Sequence, residues 1–250
     1  MTSVFTSLLF LVALFLWHPT SASAAPVVAE LSSDEVAITT DFNGQDLLLF
    51  GAVTPSDDND IIVILTGPQA EFASRRKEQV SGIWINRQTV TWKNAPSFYQ
   101  VLSTRPVDQI LSEKDRKALK VGYQNLGLKP RYSKLSETEL AEWMEALNRN
   151  MQQAGLWHEQ SGAVEIIRNA LFRAPVTLPA NIIPGDYRVR ILDVQNGRLV
   201  SEDETSLSVQ KQGVGAQIYR LAHEYSIFYG LFAVAFAVAA GWLASAAFRK

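Results

Sequence analysis

No cysteine occurs among the 250 residues. That one absence excludes disulfide staples, thiolate nucleophiles, cysteine-ligated metals and a lipidated cysteine behind a leader. Histidine is scarce, at positions 18, 158 and 223. A nucleophilic triad needs a base, most often histidine, and neither His158 nor His223 has a G-x-S-x-G segment to serve. The sequence offers no catalytic residue and reads as a non-enzyme, with no cofactor expected. Asp57-Asp58-Asn59-Asp60 carries hard oxygen donors but lacks the glycine and distal glutamate of a calcium loop. It reads as a solvated turn, and no metal site is expected. An excess of positive charge is missing too. Two of the 23 basic residues are Arg249 and Lys250, so residues 25–225 hold 21 basic against 25 acidic groups, about −4 net. That is no footprint for nucleic acid.

What the chain does have is a long apolar end. Residues 226–248 (SIFYGLFAVAFAVAAGWLASAAF) contain no charge, and about 20 such residues cross a bilayer as a helix. Tyr225 and Tyr229 stand near one end and Trp242 and Phe248 near the other, as interfacial aromatics do. Arg249 and Lys250 mark the cytoplasmic side. Residues 4–17 form a shorter apolar run, followed by small residues ending in Ala22-Ser23-Ala24. This is the pattern of a cleaved secretory leader. The expected organisation is a signal peptide (1–24), a periplasmic ectodomain (25–225), a transmembrane helix (226–248) and a cytoplasmic tail (249–250). That is a single-pass type I protein of a bacterial inner membrane, in contact with membrane lipid.

Within the ectodomain the hydrophobic period changes twice. Residues 36–42, 47–53, 61–65 and 97–103 read as strands. Residues 82–92 (GIWINRQTVTW) read as two short strands around Asn86-Arg87. Ser136 and Glu139 form a capping box ahead of Leu140, Trp143, Met144, Leu147 and Met151 at helical spacing, with Gly155 as the stop. The Met and Trp stripe reads as core. A second helix is expected from Ser161, carrying Val164, Ile167, Ala170 and Leu171 on one face, and a weaker one over residues 107–121. Strands return at residues 187–194, where Asn196-Gly197 signals a hairpin, and again near Leu199 and Leu207. The fold expected is mainly β: an immunoglobulin-like β-sandwich with a helical insertion over about residues 105–174, plus the C-terminal helix.

Several stretches carry a resemblance: residues 42–52 (FNGQDLLLFGA), 75–87 (RRKEQVSGIWINR), 96–101 (PSFYQV), 178–187 (LPANIIPGDY) and 229–250. Together they resemble a family of transmembrane proteins of alphaproteobacteria with the same leader, ectodomain and last helix. The resemblance implies no activity and supplies no catalytic residue. Genes of the family are reported near sulfite-exporter-type transporters, which implies such a transporter as a neighbour.

Two candidate sites remain. Arg75, Arg76, Lys77, Arg87 and Lys93 form a basic cluster with Trp84 and Trp92 nearby, and guanidinium forks suit small oxyanions. Ala233, Ala237, Gly241 and Ser245 recur every four residues along the last helix, a small-residue stripe of the kind that lets helices pack in lipid. The expected function is a non-catalytic accessory or interaction partner of a polytopic inner-membrane protein, or a homodimer through this helix. The alternative is a periplasmic module that captures a small anion at residues 75–93.

Overall fold

The computed structural model describes residues 27–131, 135–212, 222–223 and 225–247. The expected leader and the basic tail lie outside the described residues. Strands β1 (Val28–Leu31), β3 (Gln45–Ala52), β11 (Leu171–Leu178) and β10 (Glu165–Ile167) make one sheet in that order. A second sheet runs β2 (Glu35–Ile38), β13 (Arg198–Lys211), β12 (Gly185–Gln195), β4 (Asn59–Thr66), β7 (Tyr99–Ser103) and β9 (Trp157–Ser161). Strict alternation decides how they pack. In β11, Phe172, Ala174, Val176 and Leu178 are buried while Leu171, Arg173, Pro175 and Thr177 are exposed, as a half-buried strand requires. The inward rows of both sheets form one core: Leu47, Leu49, Phe172 and Val176 against Val63, Leu65, Val189, Ile191 and Leu207. The chain is therefore mainly β, a two-sheet sandwich with one C-terminal apolar helix.

The strand order is consistent with that of immunoglobulin-like sandwiches. So is Tyr187 near the start of β12, whose hydroxyl donates to the Ile183 carbonyl at 2.8 Å and ties the corner before that strand. Asn196 and Gly197 both take positive φ, 50° and 75°, closing the β12–β13 hairpin as the dipeptide predicts.

The second sheet is covered on its other face as well. Ile62, Ile64, Tyr99, Val101, Trp157, Leu192 and Val194 lie beneath Trp143, Leu147 and Met151. Those three project from α3 (Glu137–Gln153), which the expected capping box starts: the Glu139 amide donates to Ser136 Oγ, and the Ser136 amide donates to Glu139 Oε2 at 2.9 Å. Strands β7 and β9 are parallel, so the chain must cross over between them. Helices α1 (Val107–Ile110), α2 (Glu113–Leu119) and α3 with the short β8 (Lys129–Pro130) make that crossover.

Helix therefore stops at Gln153, well short of residue 174. The helix expected from Ser161 does not form; residues 157–178 are β9, β10 and β11. Gly162, Arg168 and Asn169 adopt positive φ, 74°, 52° and 53°, which no α-helix accommodates. Pro175 lies in β11 beyond the last residue that pairs with β10, Arg173, where its missing N–H costs no ladder bond.

The last helix, α4 (Ser226–Ala247), carries the window Tyr229–Ala246 of mean hydropathy 1.7, none of it buried against the rest of the chain. Among the described residues it is the one helix long and apolar enough to cross a membrane.

Two outcomes follow for the full-length protein in detergent. Tyr187→Phe removes the donor to the Ile183 carbonyl and should lower the unfolding free energy by about 0.5–1.5 kcal/mol. Asp193 is wholly buried in β12; its Oδ1 has no partner, and Ser201 lies a long 3.5 Å from Oδ2. Burial pushes this carboxyl up from its ordinary 3.8. The folded state thus binds this proton more readily than the unfolded chain. Asp193 subtracts stability above its folded pKa, and that penalty falls away as the pH drops from neutral toward 3.8. Urea midpoints should rise over that descent, and Asp193→Asn should flatten the rise.

Candidate functional site

Outside α4, the most exposed large apolar side chains of the described residues, Ile83 and Trp84, lie on a third, small sheet. Strand β5 (Gln69–Val80) pairs antiparallel with β6 (Ile83–Pro96) along almost its whole length, and β8 pairs only with the base. Ser81 and Gly82, at φ 51° and 84°, make the two-residue turn of a tight hairpin. The expectation of two strands around Asn86-Arg87 is thus corrected: the turn lies five residues earlier, and residues 83–96 form one strand. The base of this arm belongs to the second core. Trp92 is fully buried there with Val90, its Nε1 donating to Ser74 Oγ at 3.1 Å. Beyond Ser74 and Val90 both strands are exposed. Val80, Ile83 and Ile85 share one face, and Trp84 the other. Ile83 and Trp84 are 67% and 64% exposed.

The register also divides the basic cluster. Arg75 and Lys77 alternate with Arg76, so they point to the opposite face. Arg76 is anchored to α3: its Nη2 is 3.2 Å from Glu142 Oε2, and its guanidinium lies 4.9 Å from the Trp143 ring centre. Arg87, at a bulge opposite Arg76 and Lys77, is 3.5 Å from Glu78. Lys93 stands at the base, paired with Lys129. The five cations do not converge, and Trp92, being core, forms no aromatic wall for them. Arg75, Lys77 and Trp84 do share a face.

A cleft of about 370 Å³ lies between the outer face of β4 and β12 and the segment after α2. Its cations were not singled out from the sequence. Arg190 binds Glu202 at 2.7 Å and the Leu119 carbonyl at 3.0 Å, and Arg188 binds Glu204 at 3.0 Å. Both are thus matched by acids of β13. The Tyr99 hydroxyl accepts from the Gly122 amide at 2.9 Å, and burial pushes its pKa up, so it stays neutral. Asp60 and Asp57 of the acidic loop are likewise engaged, by Arg105 at 2.6 Å and by Asn169 at 2.7 Å. Among the described residues no group of three or more acidic or histidine side chains is placed to hold a metal.

The small-residue stripe falls on α4. Ala233, Ala237, Gly241 and Ser245 are all exposed, and a side chain added at Gly241 meets nothing within 4 Å. A family model described as "Putative transmembrane protein (Alph_Pro_TM)" matches residues 26–250. The chain belongs to that family. The match takes in the sandwich, the arm and α4 alike, so all three are features of the family region in this Alph_Pro_TM member. No curated protein matches the chain.

Arg76 should govern how firmly the arm is held. Both partners of its ion pair are about half exposed, so that bond adds little, and the ring contact adds about 0.5–1 kcal/mol. Arg76→Ala should cost less than about 1.5 kcal/mol globally yet speed tryptic cleavage at Arg75 and Lys77. Lys77→Ala should leave global stability unchanged.

Proposed function

We propose that this protein is a non-catalytic interaction subunit of a bacterial inner membrane. Helix α4 anchors it, the sandwich stands in the periplasm, and the β5–β6 arm engages a polytopic membrane protein. The observation that supports this reading is the exposed apolar end of the arm, Val80, Ile83, Trp84 and Ile85 on a paired ribbon. Contiguous exposed apolar surface marks contact sites, and aromatic anchors near basic residues are the residue types that dominate interfaces. A sulfite-exporter-type transporter is the partner we favour, from the family resemblance alone. The small-residue stripe of α4 offers a second contact within the bilayer. Capture of a small anion by the basic cluster has less support, because the strand register separates Arg76 from Arg75 and Lys77.

Affinity purification of the full-length protein in mild detergent tests the reading. A multi-span protein should co-purify, and Ile83→Ser with Trp84→Ser should reduce its recovery about tenfold or more, as loss of a buried anchor does. Equal recovery with the double variant would remove the arm from the interface. Trypsin added to spheroplasts should digest the sandwich while leaving α4 protected; protection of the whole domain there would overturn the periplasmic placement.

A further inference from the structure

The outer face of the four-stranded sheet carries an apolar patch where a sheet facing water is ordinarily polar. Val28, Leu48, Phe50 and Leu171 are 61, 42, 46 and 51% exposed around a shallow groove of about 440 Å³. Strand register arranges this face in rows across the sheet. One row is Val28, Ala52, Leu171 and Ile167. The next is Glu30, Phe50, Arg173 and Glu165, with Arg173 Nη2 2.8 Å from Glu165. The second row is an acid and a base on either side of a central phenylalanine.

We propose that this face joins two copies of the chain, sheet to sheet, about a two-fold axis that runs parallel to the strands through β3. Such an axis reverses each row onto itself. Phe50 then meets its own copy, and Glu30 meets the second copy's Arg173 twice, once on each side. Val28 meets the second copy's Leu171 in the neighbouring row. The other in-plane axis, perpendicular to the strands, sets Glu30 on Glu30 and Arg173 on Arg173, which like-charge repulsion opposes. Tethering selects the same axis. The two sheets of a sandwich keep their strands within about 30° of each other, so the chain leaves β13 along the same direction as the rows are stacked. A two-fold parallel to the strands sends both tails out of the same end of the pair, as two helices in one bilayer need. The perpendicular axis sends them in opposite directions. Self-complementary charge and a shared exit thus both point to a second copy as the occupant of this face.

The absence of native cysteine makes the test clean, since an introduced thiol is unique. Opposed sheets pack about 10 Å apart, within reach of a short bismaleimide. Ala52 lies on the same axis and also meets its own copy, so full-length Ala52→Cys in native membranes should crosslink to a covalent dimer, while Gln79→Cys on the arm should not. In the Ala52→Cys background, Glu30→Arg and Arg173→Glu should each cut the crosslink about tenfold, as opposed like charges do. The two together should restore it, and that restoration also shows that the variants fold. Gly241→Leu in α4 should leave the crosslink in place. An Ala52→Cys protein that labels with monofunctional maleimide but never crosslinks overturns the proposal. So does a Glu30→Arg/Arg173→Glu double variant no better than either single one.

Discussion

Strand β4 is buried on both faces, and the rest of the structure is built against it. Ile61, Val63 and Leu65 turn toward the four-stranded sheet, Ile62 and Ile64 toward the helical layer. Each such side chain taken from water contributes about 1.5–3 kcal/mol. A strand of this kind cannot alternate apolar and polar residues, so it reads as the continuous run IIVIL. It also cannot sit at an edge. It takes β12 on one side and β7 on the other, and through them positions every other strand of its sheet.

The second layer follows from that choice. Once Ile62, Ile64, Tyr99 and Leu192 face outward, something apolar must cover them. The chain supplies the crossover α1–α3 from one side and the base of the β5–β6 hairpin from the other. Trp92 is the joint between them: wholly buried, with its indole N–H satisfied by Ser74. A buried indole must find an acceptor, and this one fixes the pairing of β5 with β6 at the root of the arm. The root of the arm is therefore fixed by the same tryptophan that seals the core, and Arg76 holds the arm to α3 further out.

How much of this is legible in the sequence depends on whether one face of each element is buried. Residues 187–191 alternate because β12 sets Arg188, exposed, and Arg190, half-buried, between the buried Tyr187, Val189 and Ile191, and Asn196-Gly197 forms the expected turn. Residues 136–153 show a 3.6 period because α3 buries one stripe. Residues 75–80 (RRKEQV) show no period because neither face of the arm is buried there, so β5 leaves no signal and the hairpin turn cannot be placed from its flanks. The segment from Ser161 misleads for a different reason. Val164, Ile167, Ala170 and Leu171 fit a helical face by spacing alone, and only the positive φ at Gly162, Arg168 and Asn169 breaks the fit. Asparagine and glycine tolerate that conformation, so Gly162 and Asn169 are the signal available. For the basic cluster, numbering conveys proximity along the chain but not the faces: alternation along β5 splits neighbours that are adjacent in number.

Both unoccupied apolar surfaces, the arm and the back of the four-stranded sheet, are small, and in a freely diffusing protein each would be a solubility burden with little to gain. A membrane tether changes that balance. Copies held in one plane, with their strands aligned by a common exit direction, meet at a high effective concentration and in few orientations, which raises avidity without new contacts. Part of the translational and rotational freedom that association removes is already removed by α4. A patch centred on one phenylalanine and flanked by an ion pair on each side can then suffice where a soluble dimer needs a full interface of about 1,200–2,000 Å². The transmembrane helix and the modest size of these patches are in this sense one feature: the anchor lets weak surfaces be specific ones.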